Sequence, residues 1–234
     1  LVPGIHFLNI SEESVESGYL APFDWYTFAM IFVSLLFVAL PVVAAQPELP
    51  ADHLRVPLIR QSTDYSCGAA ALLSTLYYWK AFDGMESSLY PLLATTPADG
   101  TQPEKLAEGA RSFGLDAALR ENMSLEDLRA SLRKGETVIL DIQAWRTPGS
   151  TIAWSAAWED GHYVVLVGMD KSRLYVMDPS TPASYAYLPL AEFLDRWHDY
   201  ENRSGMRREY LHAGIVIRGK KSVRSYPEKP GPMD

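Results

Sequence analysis

From residue 67 onward the apolar positions fall into two regimes, helical spacing first and strand-like runs afterwards. Leu72, Leu73, Leu76 and Tyr77 recur at the i, i+3, i+4 spacing of one buried helix face, so a helix is predicted to start at Cys67 with Ser66 or Asp64 as its cap. A second helix is predicted over residues 103–113, with Pro103 in its first turn and Gly114 just past its end. The run Ser124-Leu-Glu-Asp127 has a capping-box arrangement for a third, which Gly135 ends. Residues 137–142 are β-branched and apolar, a strand. Two short apolar runs, 163–168 and 174–177, are joined by a polar tetrapeptide from Asp170 to Arg173 and read as a hairpin. A further strand at 184–188, a short helix at 190–198 and a closing strand at 213–217 complete the pattern. Helices come first and antiparallel strands follow, which predicts an α+β fold rather than a doubly wound parallel sheet.

The flanks differ from this region. Residues 26–45 are twenty positions without a charge, long enough to span a bilayer, and they end in small residues at Val43 and Ala45 that suit cleavage before Gln46. Residues 1–25 hold Glu12, Glu13, Glu16 and Asp24 but no Lys or Arg, unlike the start of a signal peptide. A start at Met30 would leave a shorter apolar stretch before the same cleavage site, so residues 1–25 are read as a segment of doubtful translation. The segment 26–45 is read as a signal peptide or membrane anchor. The expected location is therefore exported, periplasmic or extracellular, or else membrane-anchored. Arg55 and Arg60 after the apolar run argue the opposite orientation for an uncleaved anchor. Residues 46–60 are Pro-rich and read as a linker that becomes extended near residues 56–59; 61–219 form the predicted domain, and 220–234 a polar, Pro-rich disordered tail.

Composition excludes several functions. The net charge is −8 and no basic run is long enough to follow a phosphate backbone, so no nucleic-acid partner is expected. Neither GxxxxGK nor GxGxxG after a strand occurs, so no nucleotide is expected. His6, His53, His162, His198 and His212 lack ligand spacing and a single cysteine builds no thiolate cluster; no metal or other cofactor is expected.

That single cysteine, Cys67, lies where a polar loop turns into an apolar helix. Unpaired backbone N–H groups at a helix start favour an anion, which suits a thiolate nucleophile; a buried cysteine used as a small apolar filler fits the same sequence. Gly68, Ala69 and Ala70 would keep side chains away from an approaching substrate. A thiolate needs a partner that carries a proton, and His162, opening an apolar strand on rigid backbone, is the best placed histidine; His198 and His212 sit among surface-like charges or at a strand start. Asp178 lies on the partner strand of the predicted hairpin, sixteen residues after His162, where it can orient the imidazole; its Asp-Pro context also suits a plain turn. Gln61, six residues before Cys67, could donate with the Cys67 N–H to an oxyanion. Trp145, Trp154 and Trp158 in the loop before His162 suit either a peptide groove or packing of a long loop.

Gln61 and Cys67-Gly68 at a helix start, then Gly161-His162-Tyr163-Val164-Val165, then Asp178-Pro179, together resemble the peptidase C39 family. These are papain-like cysteine peptidases that remove double-glycine leader peptides from bacteriocin precursors. The resemblance spans roughly residues 56–218. It implies a papain-like fold with a helical half and an antiparallel sheet flanking a cleft. It also implies Cys67 as nucleophile, His162 as general base and acid, Asp178 as its orienter and Gln61 as oxyanion donor. The expected partner is a peptide or protein substrate, a double-glycine-type leader or an exported client, with possible membrane association through residues 26–45. The best-known members are fused to an ATP-binding cassette transporter and face the cytoplasm, and many carry a second cysteine shortly after the first; this sequence has neither a nucleotide motif nor that cysteine. Two other readings use the same residues: a C39-like module that binds peptide without cutting it, and a papain-like amidase or transpeptidase acting on cell-wall peptides.

Overall fold

The computed structural model describes residues 48–181, 184–203 and 205–223. The segment 1–25, the apolar run 26–45 and the end of the tail, 224–234, lie outside the described residues. Among the described residues no helix is long and apolar enough to cross a membrane.

The predicted helices α1, Cys67–Tyr78, and, after a short unpredicted α2, Tyr90–Leu93, α3, Pro103–Ser112, form at the predicted places, and α3 runs into Gly114 at φ +77°. The strand β1, Asp116–Arg120, precedes α4, Leu125–Arg133, whose capping box between Ser124 and Asp127 is complete. The strands β2, Thr137–Gln143, β3, Gly161–Met169, β4, Arg173–Met177, and β5, Ala186–Pro189, follow. Last come α5, Leu190–Arg196, a hairpin of β6, His198–Arg203, and β7, Met206–Leu211, and the closing β8, Gly214–Arg218. Six strands make one antiparallel sheet in the order β1-β8-β2-β3-β4-β5, and β6 pairs only with β7.

Both faces of this sheet are covered, which is why β2 to β4 read as near-continuous apolar runs. Leu72 and Leu76 of α1 and Leu106 of α3 bury against Ile139, Val165 and Ile215. On the other face Leu128 of α4 and Phe193 of α5 pack with Leu140, Leu166 and Val216. Each such side chain contributes roughly 1.5–3 kcal/mol by leaving water.

Three expectations change. The stretch read as a linker is part of the domain: Leu54 and Val56 are buried, and the Leu54 N–H donates to Val167 O at 2.7 Å. Its apolar residues alternate like a strand against the core, which outweighs the Pro-rich composition. The tail is held as far as Val223, whose N–H donates to Tyr78 O at 2.8 Å. Three strands were not predicted at all. In β1 the outward Ala118 is as apolar as its inward neighbours Ala117 and Leu119, and β6 and β7 are polar at most positions, so none of the three shows the apolar alternation that marks a half-buried strand.

Candidate active site

Cys67 is the first residue of α1 and is half-buried. Ser66 stands at the N-cap position without capping: its Oγ accepts from the Thr63 N–H at 3.0 Å and donates back to Thr63 O. Closing that loop leaves the helix start with no side-chain cap and no acidic residue in its first turn, the setting in which backbone N–H groups favour an anion. Gly68, Ala69 and Ala70 do not clear a path for substrate as the sequence suggested; all three are buried. At Gly68 a Cβ would lie 2.9 Å from Thr101 Cβ and 3.1 Å from a Tyr163 ring carbon. The glycine lets the helix start press against β3, and that closeness brings Cys67 to His162.

His162 sits at the second position of β3, opposite Ile142 of β2, and is 2% exposed. Its Nε2 meets Asp178 Oδ1 at 2.8 Å, and Cys67 is near enough to act on the same ring. Burial pulls the imidazolium down, but the bond to Asp178 and the interactions with Cys67 and Asp178 as negative groups outweigh it and raise the pKa to about 9. The Trp145 ring lies 4.7 Å from the His162 ring at 53° and is itself 48% exposed, so it covers the imidazole from solvent.

The hairpin delivers Asp178 to His162 through a defect. Met169 pairs with Leu174 next to the turn, and a straight count from there would put Asp178 opposite Val165, facing away from His162. A bulge between Leu166 and Gly168 shifts the register to Val165 opposite Met177, so Asp178 falls on the face that His162 shares with Val164. Asp178 also accepts from the Ser180 N–H and Oγ, both at 2.8 Å, and from Thr181 Oγ1 at 3.1 Å. Burial would raise its pKa, but the bond and charge of His162, with the Ser180 bonds, lower it to about 2. One residue both makes the turn and bonds His162.

Gln61 is tied to this turn by its backbone, its N–H donating to Pro179 O at 3.0 Å. Its side-chain nitrogen donates to Thr63 O at 2.7 Å, and its buried Oε1 has no partner among the described residues. One of the two amide N–H groups is thus spoken for.

The polar hairpin was the part of the site that sequence reading missed. His198, read as a surface residue, is 6% exposed, with its ring nitrogen 2.8 Å from Ala157 O and Trp158 packed on it. It anchors β6 so that Asp199 to Asn202 line a cavity of about 370 Å³ into which Cys67 opens. A larger cavity of about 590 Å³, around Tyr77, Phe82 and Val223, contains none of the candidate residues. Of the three loop tryptophans, Trp145 covers His162, Trp158 lines the Cys67 cavity, and Trp154 lies under the guanidinium groups of Arg146 and Arg196 at 4.0 Å each. The crowding of tryptophans before a histidine was the available signal, and which of them touched it depended on the loop's path.

The model of the Peptidase_C39 like family matches residues 53–205. This chain belongs to that family. The structure is similar to that of a C39-like peptidase from Bacillus anthracis, at 17% identity over 76% of this chain and 100% of that one, with a TM-score of 0.52. A double-glycine-motif protease from an AMS/PCAT transporter, solved in complex with a leader peptide, matches at 20% identity over 74% of this chain and 97% of that one, with a TM-score of 0.49. No curated protein matches the chain. The C39-like fold, helices packed on an antiparallel sheet as in papain-like peptidases, is the one expected from the residues around Cys67, His162 and Asp178.

Proposed function

We propose that this C39-like chain is a cysteine endopeptidase acting through a Cys67–His162–Asp178 triad. The observation that carries the reading is the 2.8 Å bond from the buried His162 Nε2 to Asp178 Oδ1, on a ring that Cys67 also acts on. His162 is held as imidazolium at neutral pH, and an imidazolium beside the sulfur favours attack by Cys67 as thiolate. The thiolate attacks the scissile carbonyl carbon, forming the S–C bond and an oxyanion. The Cys67 N–H and the second N–H of the Gln61 amide receive that charge. Collapse breaks the C–N bond as His162 gives its proton to the leaving amine, and the acyl-enzyme remains. His162, now neutral, takes a proton from water, whose oxygen attacks the thioester and releases the acid and the thiolate. Asp178 keeps Nε2 protonated and the ring in plane with the sulfur throughout.

The client is a peptide segment that can enter a narrow cleft, of an exported or leader-bearing protein. The uncharged run 26–45 supports an exported or membrane-anchored domain; a reporter fused after residue 234 tests export, and a cytoplasmic signal contradicts it. Activity is tested by incubating the protein and its Cys67→Ala variant with an exported proteome and comparing new N-termini. Cleavage sites produced only by the wild type are expected. Identical sets would favour a module that binds peptide without cutting.

A further inference from the structure

The cavity beside Cys67 has a distinct charge. Asp64, Asp99, Glu159, Asp199 and Glu201 line it, and no Lys, Arg or His is among the lining residues. Behind this wall lies Asp141 of β2, 2% exposed, with Oδ1 lacking any partner among the described residues. Asp141 lies near enough to three of the lining residues, Asp199, Cys67 and Glu201, for their charges to act on it. Asp199 is fixed in place: Gln143 Nε2 donates to its Oδ1 at 2.9 Å, and its carboxylate rests against Gly161, where a Cβ would run into it. The glycine of the Gly-His pair therefore makes room for an acid next to the nucleophile.

The same wall carries Trp158 and Tyr200. Those rings already hold one guanidinium on their outer side, that of Arg207, at 4.8 Å and 3.9 Å from the two centroids, where Glu209 pairs with it at 3.0 Å. Like charges this close disfavour one another and repel an anionic segment, whereas a cation relieves the repulsion and gains from the aromatic faces. Cavities lined by one sign of charge also concentrate the opposite sign and speed its arrival.

We propose that the cavity beside Cys67 receives a cationic, Lys- or Arg-bearing stretch of the substrate peptide, with Asp199 as the recognising carboxylate. The proposal rests on Cys67 being the nucleophile, and the two are separable because Cys67 is the only cysteine in the chain. The full chain is treated with acyloxymethyl ketones of Ala-Ala-Lys, Ala-Ala-norleucine and Ala-Ala-Glu. Each alkylates the sulfur by forming an S–C bond as the carboxylate leaves. The Lys probe is expected to label Cys67 at least about tenfold faster than the norleucine probe, with the Glu probe slowest. That ratio shrinks at about 1 M salt, where the Debye length is ~3 Å, and it shrinks in Asp199→Asn. Should that variant fold poorly, the exposed pair Asp64→Asn and Glu159→Gln is expected to lower the same ratio. Equal rates for the Lys and norleucine probes, alongside His162-dependent labelling by neutral iodoacetamide, would overturn the cationic preference and leave the nucleophile standing. A Cys67 that iodoacetamide cannot reach would overturn both.

Discussion

Asp178→Asn separates charge from shape at the candidate site. The carboxylate accepts from His162, from the Ser180 N–H and Oγ and from Thr181 Oγ1, and an Asn keeps the outline and one acceptor oxygen while losing the charge. Burial alone would raise the Asp178 pKa, yet its partners bring it from 3.8 to about 2. A group whose folded-state pKa is depressed contributes stability above its unfolded value and loses it as pH falls through the folded one. The gap corresponds to about 2 kcal/mol at neutral pH. With the side chain only 18% exposed, solvent screens little of it. Denaturant unfolding at neutral pH should therefore show the variant about 2 kcal/mol less stable than wild type, with the difference closing as pH falls from about 4 to about 2. The same substitution should lower the His162 pKa from about 9, since burial pulls it down and one of its two partners has lost its charge. Histidine resonances followed across pH read that shift directly. A stability difference unchanged between neutral and acid pH, or an unmoved His162 titration, would refute the coupling of the two residues.

Other outcomes follow from the same geometry. Removing the ring in His162→Ala should slow iodoacetamide alkylation of Cys67 near pH 6 by about tenfold or more, as expected for loss of an acid–base partner; equal rates would leave Cys67 an ordinary thiol. Peptide cleavage should fall as pH rises through about 9, where His162 loses the proton it must give the leaving amine. The stability its raised pKa confers is present below about 6.5 and is lost over the same rise, so unfolding midpoints should drop there in wild type and not in His162→Ala. Burial, with Asp199 beside it, raises the Asp141 pKa well above the ordinary carboxylate value, so wild type loses stability as pH rises above the point where this acid ionises in the unfolded chain. Asp141→Asn should flatten this dependence, and a parallel pH profile would contradict it. Gly68→Ala should cost ~1–3 kcal/mol because its Cβ would press on Thr101 and Tyr163, and an unchanged unfolding midpoint would show that the helix start can move.

The helix at Cys67, the capped helix at Ser124 and the His162–Asp178 hairpin were legible because each is encoded within a few neighbouring residues: apolar spacing, a cap, a polar turn. The family resemblance rested on the same local signals. The strands β6 and β7 were not legible, because their mostly polar residues give no apolar periodicity, and β6 forms one wall of the cavity beside Cys67. The role of Gly68 was misread for a related reason: a glycine after a cysteine looks like clearance until the neighbour it touches is known.

The chain alone determined which residues could do chemistry, since a lone cysteine at a helix start and a histidine at the head of an apolar strand are properties of sequence order. Whether they meet was decided in three dimensions. One extra residue in the β3 strand, at the bulge between Leu166 and Gly168, sets which face Asp178 occupies, and side chains alternate faces with every residue. The acidic wall around Asp199 likewise joins residues from distant segments, from Asp64 to Glu201. No local pattern records that proximity, because it arises only when separate elements bury their apolar faces against the same sheet.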